Sequence, residues 1–172
     1  MLRLILLRHA KSAWPQGVAD RDRPLGPRGR MNAPAMGAYM AEHDLIPALA
    51  LISPSRRTLE TWTEATRDWD KAPELAFEEA VYEASAARLL DLIQQQSEAS
   101  PLMIVGHNPG TENLAALLLA QKERAKMPGK YPTAGLCVID FDAADWPEVK
   151  PGTGTLERFV TPRSIGLGPE ED

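Results

Sequence analysis

Hydrophobic positions along the 172-residue chain fall into two rhythms. Short unbroken apolar runs, "LRLILL" (2–7), "ALALIS" (48–53), "PLMIV" (101–105) and "GLCVIDF" (135–141), read as strands. "LERFV" (156–160) is a weaker fifth, and a short strand fits near Leu75 to Phe77. Runs without polar alternation suit strands covered on both faces. Between them, residues 28–45, 54–69, 86–98 and 110–123 carry apolar residues near helical spacing. Pro34 lies inside the first of these, which predicts a kink or a later start. Ser53 and Ser85 stand as N-caps, with Pro54 at a first helical position, and Asn108-Pro109 repeats the cap-then-proline arrangement. Strands alternating with helices predict an α/β three-layer fold, its mostly parallel central sheet flanked by helices.

No repeat or linker divides the chain, so one domain over residues 1–172 is expected, with the tail 165–172 frayed. Hydrophobic residues make up 44% and charged residues 25%, ordinary values that argue against wholesale disorder. A net charge of −5 speaks against bulk nucleic-acid binding but leaves room for a local positive pocket. The single cysteine, Cys137, sits in an apolar run and reads as core; no disulfide framework or cysteine zinc site is available to it. "MLRLILL" is too short and too basic for a signal segment, and no apolar run approaches the ~18 residues that span a bilayer. The expectation is a cytoplasmic protein with neither membrane nor nucleic acid as a partner.

The residues at the strand ends change the picture. After the first strand come Arg8 and His9; after the second, Ser53, Arg56 and Arg57; after "PLMIV", Gly106, His107, Asn108 and Pro109. In a parallel sheet these strand ends share one edge, where open α/β sheets bind ligands. Taken singly, Arg8 reads as a surface residue, His9 as a satisfied histidine, Ser53-Pro54 as a helix cap and "GHNPG" as a turn. Taken together they form a cation cluster that calls for an anion. These residues include no carboxylate, so the expected anion is an outside ligand. Arginine forks and helix N-termini both suit phosphate.

"LLRHAKS", "SPSRRTLET" and "IVGHNPG" resemble the three signatures of the histidine phosphatase (phosphoglycerate-mutase-like) superfamily. "RHAKS", "DRPL" (22–25) and "GHNPG" are most similar to its small bacterial phosphohistidine-phosphatase-like branch. The resemblance runs from residue 3 to about 163 and takes in "YPTAG" (131–135) and "FVTPR" (159–163). Ala10 stands where glycine is common, and Arg57 rather than Arg56 aligns with the second arginine.

The resemblance implies the phosphoglycerate-mutase-like fold and a phosphatase that needs no cofactor and no metal. His9 would be the nucleophile that carries the phosphoryl group, Arg8 and Arg57 would hold its oxygens, and His107 would bond it from the far side. Asn108 is a further candidate for the phosphate. Larger members use an acid after the second helix; here Glu83 is the best-placed carboxylate and Glu79 the second, though both also read as solvated acids near a helix start. A weak acid would favour a good leaving group, hence phosphohistidine on a protein, with small phosphate esters as the alternative partner. A mutase, a non-catalytic phosphate-binding module and a metal site on His9 and His107 are the competing classes. Trp14 and the 15–23 loop could form the rim, or Trp14 could pack; His43 reads as structural, and Lys11 adds only to the field.

Overall fold

In the computed structural model, which describes residues 1–97 and 99–168, the chain builds one six-stranded sheet in the order β3-β2-β4-β1-β5-β6. The strands are β1 (Leu2–Arg8), β2 (Leu49–Ile52), β3 (Glu74–Phe77), β4 (Leu102–Gly106), β5 (Leu136–Phe141) and β6 (Thr155–Val160). The helices are α1 (Pro27–Glu42), α2 (Arg56–Thr66), α3 (Ala86–Gln94), α4 (Gly110–Leu118) and the short α5 (Gln121–Arg124). β3, β2, β4 and β1 run parallel; β5 is antiparallel to both β1 and β6. The sheet is therefore mixed and mostly parallel, and helices cover both of its faces.

The continuous apolar runs explain that coverage. Leu4 and Leu6 of β1 turn to one face and meet Leu89 and Ile93 of α3 and Leu114 and Leu118 of α4. Ile5 and Leu7 turn to the other and meet Met36 and Met40 of α1 and Trp62 of α2. Strand alternation thus divides one run between two cores. Cys137 lies fully buried in the first core, and burial pushes its thiol up to about 12.

Several boundaries differ from expectation. The first helix begins at Pro27, not later, and runs through Pro34 to Glu42. Ser55, not Ser53, caps α2, accepting from the Thr58 amide, so Pro54 precedes the helix rather than opening it. Ser85 caps α3 as expected, and that helix stops at Gln94. The 110–123 pattern is two helices: Leu119 is extended, fully buried and bridged to Gly154, which interrupts it. Pro109, not Asn108, takes the N-cap position of α4. His43 closes α1, its Nδ1 donating to the Tyr39 carbonyl. Of the 165–172 tail expected to fray, Ile165 ends the short 3-10 turn Arg163–Ile165, and residues 169–172 lie outside the described part, as does Glu98.

One consequence of the topology governs the site. Because β5 is antiparallel, its beginning lies on the edge where β1 and β4 end. The loop before β5 is thereby delivered to that edge: Ala134 N–H donates to the carbonyls of Arg8 and His9, and Arg8 N–H to that of Gly135.

Candidate active site

The edge holds a pocket of about 280 Å³. Its walls include Arg8, His9, Arg57 and His107, brought together from β1, the first turn of α2 and the end of β4. The rings of His9 and His107 lie 5.4 Å apart, tilted by 59°. Glu83, Asn108, Lys11 and Trp14 also line it. Glu79 does not: it is exposed and paired with Arg21.

The hydrogen bonds fix the state of His9. Its Nδ1 lies 2.8 Å from the Ala10 carbonyl, which can only accept, so Nδ1 carries the proton. Nε2 is left with its lone pair. Burial first, then His107, Arg57 and Arg8, hold the imidazole pKa down to about 3. The ring is neutral and nucleophilic at any physiological pH. Ala10, the departure from the usual glycine, is fully buried, and its amide donates to Thr61 Oγ1.

His107 is arranged differently. Arg57 donates to its Nδ1 at 3.2 Å, so the proton sits on Nε2 and goes to Ser53 Oγ at 2.7 Å. Burial and then the Arg57 charge lower its pKa to about 4. Ser53 is therefore the residue that holds His107, not a helix cap.

Arg57 is almost wholly buried, whereas Arg56 is half exposed and paired with Glu60. Arg57 donates through one terminal nitrogen to the Asp20 carbonyl at 2.7 Å and through the other to the Asp20 carboxylate at 3.1 Å. Among the described residues its buried Nε has no hydrogen-bond partner. Arg8 donates to the Tyr131 carbonyl at 2.8 Å.

Asp20 brings to the site a carboxylate that the strand-end residues do not include. It sits on the loop between β1 and α1, in the 3-10 turn Asp20–Asp22, and ties together Tyr82, Arg23 and Arg57. The Tyr82 hydroxyl above all, then the two arginines, keep its carboxyl far below the usual range. Even so, Arg8, Arg23, Arg57 and Lys11 outnumber Asp20 and Glu83, and the pocket remains positive. Asp20 and Arg23 lie in the 15–23 loop expected at the rim, but sequence reasoning assigned them no individual role, and Tyr82 and Thr133 were missed. "DRPL" (Arg23) and "YPTAG" (Thr133) were the signals available, but neither stands directly after a strand.

Asn108 lines the pocket with its side chain engaged. Its amide donates to Glu112 and to the Tyr131 carbonyl, and its oxygen accepts from the Glu112 N–H. Glu83 has a left-handed backbone, φ 50°, immediately beside the pocket. A non-glycine residue in that region costs of order 1 kcal/mol, and such residues cluster at functional sites. Among the described residues, no three His, Cys, Asp or Glu side chains are grouped to hold a metal ion. No helix there is long and apolar enough to cross a membrane.

Comparison with known proteins agrees with this geometry. A family model, histidine phosphatase superfamily (branch 1), matches residues 4–85. An uncharacterized protein of Mycobacterium tuberculosis is 34% identical over 163 residues, covering 91% of this chain and all of the relative. An uncharacterized chloroplastic protein of Arabidopsis thaliana is 30% identical over 94% of this chain and 78% of its own. Among solved structures, a candidate phosphohistidine phosphatase SixA of Agrobacterium tumefaciens superposes with a TM-score of 0.81 at 30% identity, covering 94% of this chain and 98% of that one. A protein histidine phosphatase SixA complexed with tungstate shares the fold, with a TM-score of 0.76 at 18% identity, over 95% and 99% of the two chains.

Proposed function

The chain belongs to the histidine phosphatase superfamily (branch 1), and from that premise we propose that it is a phosphatase acting through a phosphohistidine on His9, its substrate a phosphohistidine borne by a protein. The observation that carries this reading is the tautomer of His9. A proton held on Nδ1 by the Ala10 carbonyl leaves the Nε2 lone pair facing a site lined by two arginines.

Nε2 attacks phosphorus, forming the N–P bond as the bond to the leaving group breaks. Arg8 and Arg57 bind the phosphoryl oxygens, and the partnerless Nε of Arg57 adds a donor. His107 lies across the site, and its Nδ1, accepting from Arg57, holds that guanidinium in place for the phosphoryl oxygens. Water then attacks phosphorus, the Nε2–P bond breaks, and phosphate departs. The arginines supply the positive charge, so no step is routed through a metal. Glu83 is the carboxylate at hand to protonate an alkoxide leaving group, while the protons of the attacking water stay on the departing phosphate. Asn108 serves as a brace between α4 and the loop before β5 rather than as a phosphate ligand.

The phosphohistidine substrate rests on the likeness to the Agrobacterium SixA protein, named for that activity. The presence of Glu83 in the pocket favours a second reading, small phosphate monoesters, since those need the acid. One panel separates them: a phosphohistidine-bearing carrier protein, an aryl phosphate and several sugar phosphates. His9→Ala should lose activity on every donor, at least about a thousandfold on the scale of other nucleophile losses; retained activity overturns the assignment. Glu83→Gln should slow the sugar phosphates by about 100-fold, the usual worth of a general acid, and spare phosphohistidine.

A further inference from the structure

One aromatic side chain at the pocket has no part in the chemistry above. Trp14 lines the cavity together with His9, yet is 75% exposed. It does not pack into either core. One face of its indole is covered by the Arg23 guanidinium, whose carbon lies 3.2 Å from the ring centroid. The exposure therefore belongs to the opposite face and the edge.

That stack is rigidly mounted. Arg23 is itself buried, and all three of its guanidinium nitrogens are engaged, by the Ala13 carbonyl, the Asp20 carboxylate and Ser12 Oγ. The backbone beneath is clamped as well: Ala13 N–H donates to the Pro24 carbonyl and Gly26 N–H to that of Lys11, with Ser12 and Leu25 bridged. A solvated surface tryptophan needs no such mounting. An indole held flat by a fixed cation, with its other face open beside a phosphoryl pocket, is a platform for a flat group.

We infer that Trp14 is a specificity residue that stacks against the aromatic ring of the leaving group, the imidazole of a phosphohistidine. The inference rests on the phosphatase reading above. An imidazole is flat, and the ring of a phosphohistidine protonated on its other nitrogen is positive until the N–P bond breaks and it leaves neutral; the open indole face attracts it. An aliphatic phosphate carries no ring to stack and gains little from the platform.

Trp14→Ala and Trp14→Phe, compared with wild type, test it on three donors: a phosphohistidine peptide, an aryl phosphate and a sugar phosphate. The expected result is a fall of about tenfold in kcat/KM on both ring-bearing donors with Trp14→Ala, with sugar phosphate turnover changed by less than about twofold. Trp14→Phe should restore most of the loss. An equal fall on all three donors would mean that Trp14 merely supports the pocket, and no fall on the ring-bearing donors would mean it does nothing for them; either overturns the inference while wild-type activity leaves the phosphatase reading standing. A wild type that releases phosphate from the sugar phosphate alone overturns the phosphohistidine assignment and the inference together.

Discussion

His9 and His107 are both neutral, and each is held in a different tautomer by a different partner. For His9 the carbonyl of Ala10 decides it; a nucleophile that had to lose a proton first would be slower. For His107 the decision lies with Arg57, which donates to Nδ1, and Ser53, buried at the end of β2, takes the Nε2 proton. Ser53→Ala removes the acceptor of a buried N–H. It should destabilise the protein by about 1–2 kcal/mol and lower kcat/KM by about tenfold, as the ring loses its fixed orientation. Thermal melting and steady-state kinetics check both effects; unchanged kinetics would show that His107 is held by Arg57 alone. Asp20 is the other decisive residue. It neutralises part of the charge of Arg57 while leaving that side chain fixed, so the pocket is organised before any substrate arrives.

At the level of elements, the continuous apolar runs located β1, β2, β4 and β5, because such stretches have few other uses in a chain of this kind, while β6 and β3 gave the weaker signals. The Arg8, His9, Arg57 and His107 constellation was equally legible, since a parallel sheet places its strand ends together. Two things were not legible. One is the direction of β5: an apolar run carries no sign of its orientation, so the delivery of Tyr131 and Thr133 to the site could not be read. The other is the loop before α1. Its Asp20 acts through a side chain that crosses to α2 and Tyr82, and no periodicity records such a contact. Ser53 was misread for a related reason. A serine before proline and a helix is a good cap by propensity, but tertiary demand from His107 claimed it, and Ser55 took the local role. The helices also depend on close approach. A Cβ on Gly37 of α1 would lie 1.8 Å from the Ala65 carbonyl oxygen of α2. Gly37→Ala should force the two helices apart and destabilise by about 1–3 kcal/mol, as overpacking does elsewhere, with activity intact at low temperature. A melting curve identical to wild type would contradict this packing.

At the scale of the whole molecule, the two buried histidines tie stability to acidity. Free histidine has a pKa near about 6.5. In the folded protein the values fall to about 3 for His9 and about 4 for His107. Below about pH 6.5 the unfolded chain takes up protons that the folded chain refuses, so stability falls on acidification from there to about pH 4. The slope should reach up to about 1.4 kcal/mol per pH unit for each histidine. Asp20 adds to the loss further down, because its depressed carboxyl stabilises the fold only while ionised. Chemical unfolding between about pH 4.5 and about pH 7.5 checks the slope, and His9→Asn should flatten it. The site itself is assembled from distant parts of the chain. Arg8 bonds the carbonyl of Tyr131, 123 positions away, and the pocket also draws on α2 and the end of β4. Local helices alone cannot assemble it, and long-range strand pairing is the slow part of folding. If the proposed activity holds, its recovery after dilution from denaturant reports the long-range docking of β5 on β1 and should lag behind the recovery of helical signal.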